Sequence, residues 1–304
     1  MEQTNRYATF WIKDLHQNLV EHSCNPQTLN NICVNDKPDA PFDITPVFFK
    51  REVLDKFYHS PHKYSVSDGE VYYKEYGLYL RVDTDMKDYV SVLLVDLAGL
   101  DYEEQLYWRS FNIKPNETTT VSKAAYERWY EGQFANSMAP DAVLVEKYKE
   151  FYSSWENIIG WPLFREDPTN SQSVLYSVHI LTDENNEKEF YDQIMILSKL
   201  FIESLNVSQF PKLEDNNNQS LKRFSSYLDQ YHLSIPEVIE FLRNIQRLRS
   251  SKAAHSGNVE KKTAEYFKMG QHSYGYVLNS IFMTLVEVLE CLWRVAIRIK
   301  INHQ

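Results

Sequence analysis

The end of the chain limits the fold most sharply. From Tyr274 to Lys300 the sequence reads YGYVLNSIFMTLVEVLECLWRVAIRIK, a helical pattern that is apolar on most of its sides. A helix of that kind must be surrounded, either by the other helices of a bundle or by a partner. Leu278 to Ile299 approaches the length of a membrane span, but it carries Glu287, Glu290, Arg294 and Arg298. Each charge is costly at a bilayer centre, so a buried helix is expected and a membrane is not.

The preceding hundred residues supply the rest of a bundle. EKEFYDQIMILSKLFIESLN, starting at Glu187, sets Phe190, Ile194, Leu197, Leu200 and Phe201 on one helical face. A polar loop, 211–220, leads to a short helix in LKRFSSYLDQY. SIPEVIEFLRNIQRLRSSKAAH then opens with capping-box spacing, Ser234 to Glu237, and Pro236 in the first turn. Its stripe of Ile235, Val238, Ile239, Leu242, Ile245 and Leu248 predicts four helical turns. No strand pattern is found from Glu187 onward.

Upstream the pattern is mixed. Residues 1–46 hold one short amphipathic piece, TFWIKDLHQNLV. VFFKREVLDKFYHS, 47–60, has helical spacing and stops ahead of Pro61. Alternation between Glu70 and Leu97 predicts two or three antiparallel strands around the turn-like DTDMKD, and SVLYSVHIL, 173–181, predicts one more. Asp101 and Glu104 have capping-box spacing ahead of a helix, and further helices are expected at about 122–134 and 142–159. The expectation is an α+β protein: a mixed region over 1–185, with a small antiparallel sheet and helices, followed by an all-α domain over 186–304.

Composition narrows the function. With 304 residues, 43% of them hydrophobic, the chain can bury a real core. Only 8 residues are glycine, and neither GxGxxG nor GxxxxGK[ST] occurs, so no nucleotide cofactor is expected. The formal net charge of −10 requires any nucleic-acid contact to be local. Three cysteines, Cys24, Cys33 and Cys291, make neither a disulfide framework nor a four-ligand zinc site. That usage, with an N-terminus lacking an apolar run of signal-peptide length, points to a cytoplasmic setting.

Against that acidic background, LRNIQRLRSSKAAHSGN, 242–258, gathers Arg243, Arg247, Arg249 and Lys252 and then places His255 before Ser256-Gly257. At 100° per residue, Arg243 and Arg247 lie within about 40° of each other, opposite the apolar stripe. Arg249 and His255 are about 240° apart on one straight helix. Lys252 lies beside His255. Gly257 marks a helix stop. The plain physical explanation is that cations collect where the helix macrodipole is negative.

An arginine followed after four to six residues by a histidine near a helix end is also the signature of the HEPN superfamily, and RSSKAAH, Arg249 to His255, resembles it. That superfamily comprises all-α domains, many of them metal-independent ribonucleases of bacterial toxin and antiphage systems. Ser250 stands where the family often has Asn, Asp or His, and Gly257 where its toxin-type variant has tyrosine. The resemblance implies RNA cleavage by attack of the ribose 2′-hydroxyl, with His255 in proton transfer and Arg249 stabilising the phosphorane. It implies a composite site shared between two protomers, and RNA held by Arg243, Arg247 and Lys252, with no metal. The alternative is a non-catalytic HEPN-like module that binds a partner protein or RNA. The segments 48–69 and 101–113 also resemble uncharacterised bacterial proteins with a helical C-terminus.

Other constellations point to structure. His59 and His62 have no third ligand nearby, and Asp83, Asp85 and Asp88 lack the glycine and terminal glutamate of a calcium loop. Asp96, Asp101, Glu103 and Glu104 read as helix-start and loop acids. Trp108, Trp129, Trp155 and Trp161 read as core.

Overall fold

The computed structural model describes residues 6–67, 69–165, 174–213, 219–253 and 260–302, without the side chains of Lys252 and Ala253. The fold is α+β, as the patterning predicts. It divides into two compact units, Met1–Ala139 and Pro140–Gln304. The division falls well before the expected 185/186. Its cause is α5, Pro140–Ile159, which buries Leu144, Val145, Tyr148, Phe151 and Trp155 in the same core as the terminal helix.

The first unit has three small antiparallel sheets where one was expected. β1 (Thr9–Lys13) pairs with β2 (Leu19–Ser23), so the amphipathic piece near the N-terminus is a hairpin. Asp14 makes the turn: its carboxylate accepts from the backbone N–H of His16 and Asn18, both at 2.8 Å, and Gln17 takes a left-handed φ of 63°. β3 (Pro46–Lys50) pairs with β7 (Tyr89–Leu93). The helix expected over 47–60 is confined to a 3₁₀ turn at Arg51–Leu54 and α1 at Asp55–Tyr58. Val47, Phe48 and Phe49 are consecutive and all buried, which an extended strand covered on both faces satisfies. Periodicity alone does not separate such a short apolar run from a helix.

The third sheet is the meander β4 (Tyr64–Ser67), β5 (Glu70–Tyr73) and β6 (Leu78–Arg81). α2 (Leu94–Leu97), α3 (Tyr102–Ser110) and α4 (Lys123–Trp129) complete the unit. α3 starts as its capping spacing requires, with Asp101 accepting from Glu104 N at 2.8 Å. The core joins Phe10, Phe49 and Trp108 edge to face, with ring centroids 5.9 and 4.9 Å apart.

In the second unit every named element is helical, and the described residues add only isolated bridges, Phe164 with Leu205 and Met269 with His272. α6 (Glu187–Ser198) runs into a π-helical turn, Lys199–Glu203. α7 (Ser220–Asp229), α8 (Pro236–Ala253), α9 (Lys261–Tyr266) and α10 (Tyr274–Asn302) follow. α10 buries thirteen residues, among them Leu278, Phe282, Leu285 and Leu292, so it is the central helix its composition demands. Among the described residues no helix is long and apolar enough to cross a membrane.

The strand expected over 173–181 does not form. Its described part, 174–181, is helical at 174–175, turns at 176–177 and continues with no strand pairing among the described residues. Side chains replace the ladder: His179 N donates to Gln193 Oε1, Ile180 N to Asp141 Oδ2, and Thr182 N to Glu189 Oε1, each at 3.1 Å. The alternation of the segment is real. Its hydrogen-bond partners come from α5 and α6.

Candidate functional site

α8 carries the arginine cluster. One face, with Ile239, Phe241, Leu242, Ile245 and Leu248, is buried, which leaves the arginines on its flanks. Phe241 extends the expected stripe and meets the Phe267 ring at 6.1 Å. A buried asparagine organises the middle of the helix. Asn244 Nδ2 donates to the Glu240 carbonyl at 3.0 Å, while Asn244 Oδ1 accepts from Arg247 Nη1 at 3.0 Å.

Each arginine has an acidic partner. Arg247 Nη1 lies 2.9 Å from Glu240 Oε1, and its Nε lies 4.0 Å from Glu260 Oε2. Arg243 Nη1 approaches the other Glu240 oxygen at 3.9 Å. Arg243 and Arg247 therefore share one carboxylate, as their common face predicts. Arg249 points elsewhere. Its Nη1 pairs with Glu203 Oε1 at 2.8 Å, with both side chains about 40% exposed. Glu203 closes the π-helical turn and also accepts from Ser198 Oγ at 3.3 Å. The arginines thus form two separate groups on opposite flanks, and the structure does not gather them into one patch.

Lys252 lies on α8, but its side chain falls outside the described residues, as does His255 entirely. The distance between Arg249 and His255 is therefore not part of the geometry. One phenol meets the end of α8, and a second stands near the first. Tyr191 shares a hydrogen bond with Ser251, and burial raises its pKa. Burial, with Glu187 close by, pushes Tyr274 up to about 12. Neither phenol is set to exchange protons near neutral pH.

Sequence patterning did not show Glu203. It lies far from the cluster in the chain, and only tertiary packing brings it to Arg249. Glu240 and Glu260, the acids on either side of the basic run in the chain, both pair with Arg247.

The remaining candidates are structural. Asp83 is buried and accepts from Ser122 N at 2.7 Å and from Ser91 Oγ at 3.4 Å. Asp85 holds Ser137 Oγ and, at 3.1 Å, Met138 N. These two carboxylates tie a turn to its neighbours. His59 Nδ1 is 2.7 Å from its own helix carbonyl, Asp55 O. Among the described residues no group of three or more His, Cys, Asp or Glu side chains is placed to hold a metal ion. No family model, curated protein or solved structure matches this chain.

Proposed function

We propose that the C-terminal unit is a HEPN-like effector that cleaves RNA without a metal, as a toxin or antiphage component. The observation that carries the reading is Arg249: a half-exposed guanidinium near the C-terminal end of a long helix, in an all-helical unit, six residues before a histidine. In the step proposed, the ribose 2′-hydroxyl attacks the adjacent phosphorus. The 2′-oxygen–phosphorus bond forms, the bond to the 5′-oxygen breaks, and the products are a 2′,3′-cyclic phosphate and a free 5′-hydroxyl. His255 handles the proton, and Arg249 balances the charge that builds on the phosphorane. Two copies of the chain contribute their motif ends to one composite site, and Arg243, Arg247 and Lys252 hold the RNA backbone.

The ion pair with Glu203 does not oppose this role. An exposed pair is worth about 0–1 kcal/mol, so Arg249 exchanges Glu203 for a phosphate at small cost. A second reading rests on the charge compensation of Arg243 and Arg247. With Glu240 and Glu260 already engaged, the helix can serve as a non-catalytic surface for a partner protein or RNA.

The test is incubation of the full chain with end-labelled RNA in the presence of EDTA. Cleavage that leaves cyclic phosphate ends and persists with chelator supports the ribonuclease. Binding without cleavage supports the second reading.

A further inference from the structure

The outward face of α10 is patterned in a way a merely solvated helix does not need. At 100° per residue, Met283, Glu287, Glu290, Arg294, Arg298 and Ile301 fall within an arc of about 80°. All six are exposed, Met283 by 44% and Ile301 by 63%. Trp293, also 44% exposed, stands about 60° outside this arc. Read along the chain, the face runs apolar, acid, acid, base, base, apolar. Glu290 and Arg294 lie only 3.5 Å apart within the helix, which is the weak exposed pairing such spacing gives on its own.

The order is self-complementary under reversal. In two antiparallel helices, residues face each other when their numbers sum to a constant. An axis between Leu292 and Trp293 sets, to within one residue, Met283 against Ile301 of a second copy, Glu287 against its Arg298, and Glu290 against its Arg294. Every acid then meets a base, and the apolar ends meet each other.

Beside this face runs a groove of about 660 Å³ between α5 and α10, floored by Phe151 and Leu289 and edged by Lys147, Glu150 and Trp293. A two-fold lying in the contact plane keeps α5 on the same side of both copies. Trp293 and the groove of both copies therefore lie along the same side of the contact. We infer that α10, with this groove, is a two-fold contact between two copies of the chain. The groove and Trp293 add apolar surface beside the charged pairs, and a large aromatic in such a place is a common anchor of an interface.

The contact is separate from the proposed RNA site. Ser251, near the end of α8, bonds Tyr191, and the adjacent Phe190 packs on Tyr274 with ring centroids 5.1 Å apart. That end lies at the first turn of α10, about 28 Å along the helix from the inferred axis. This contact holds two motif ends apart, so it is a second contact, additional to the pairing of motif ends in the composite site; it does not rest on the ribonuclease reading, and its test needs no RNA.

The test is the mass of the full chain by sedimentation equilibrium, with circular dichroism confirming the fold of each variant. Glu287→Arg with Glu290→Arg makes the face wholly basic; Arg294→Glu with Arg298→Glu makes it wholly acidic. Each variant alone is expected to weaken self-association at least about 100-fold, because like charges then face each other. An equimolar mixture of the two is expected to recover the wild-type mass as a mixed assembly. A wild type that stays monomeric overturns the inference. So does association that neither variant weakens, or weakening by both that the mixture does not restore.

Discussion

The two units satisfy their buried backbone in different ways. In Met1–Ala139 the sheets are short, and polar side chains complete what the ladders leave open. Gln105 accepts from Ala8 N and donates to Leu100 O, both at 2.9 Å. Asn112 accepts from Trp11 N at 2.6 Å and donates to Phe48 O at 2.9 Å. The buried Arg51 donates to the carbonyls of Thr84 and Met86 at 2.8 and 2.7 Å. In Pro140–Gln304 helices satisfy most of their own backbone, and an extensive apolar core holds them. Side chains take over chiefly at 177–182 and where Arg223 caps the carbonyls of Val207, Phe210 and Pro211. The lesson is that the first unit depends on individual polar contacts, and the second on volume.

The largest effect expected is therefore in the helical core. Leu285 is fully buried in α10, and Leu285→Ala is expected to cost about 2–5 kcal/mol, read by chemical denaturation. Hydrogen exchange should place the lost protection in 140–302. Equal loss in both units would break the comparison.

Next comes Asp83→Ala, which leaves Ser122 N without its buried acceptor. A cost of about 1–3 kcal/mol is expected, with lost protection confined to the first unit. Gln193→Ala sharpens the contrast, since it removes the acceptor for His179 N and the donor to Ser177 O. It should raise exchange at 177–182 while leaving the rest of the helical core protected.

The smallest effect concerns pH. Burial raises the Asp55 carboxyl above its usual range, with Glu52 adding and His59 opposing. The folded state holds that proton more tightly than the unfolded chain, so stability falls as pH rises through the folded pKa. Asp55→Asn should raise Tm by no more than about 2 °C at pH 7, because solvent screens this partly exposed site. The gain should vanish below the ordinary carboxylate range. A gain at pH 3 as large as that at pH 7 would contradict the burial account.

Much of this arrangement was legible in the sequence, and the misses have physical causes. α8 and α10 could be placed because a sustained apolar period and a capping proline leave few other solutions. The hairpin of β1 and β2, the strand β3 and the segment 173–181 could not, because each is short and its backbone state depends on a distant partner. Asn112 and Gln193 are such partners, and nothing local marks them. At the candidate site, the shared face of Arg243 and Arg247 followed from helical geometry. The pairing of Arg249 with Glu203 did not, since it is set by where a π-helical turn delivers an acid from another helix.

In the proposed reaction His255 and Arg249 cut RNA. The most direct measurement is the single-turnover rate of RNA cleavage by the wild-type chain and by His255→Ala, with EDTA present, across pH 5 to 9. The expected wild-type profile has a limb near a histidine pKa of about 6.5, and the variant is expected to lose at least about 100-fold in rate. Arg249→Ala should lose activity comparably with less than about 1 kcal/mol of stability lost, since its ion pair is exposed. A wild type that cleaves RNA and a His255→Ala variant that cleaves it equally well would contradict the claim, leaving the histidine as a cation at the end of a helix.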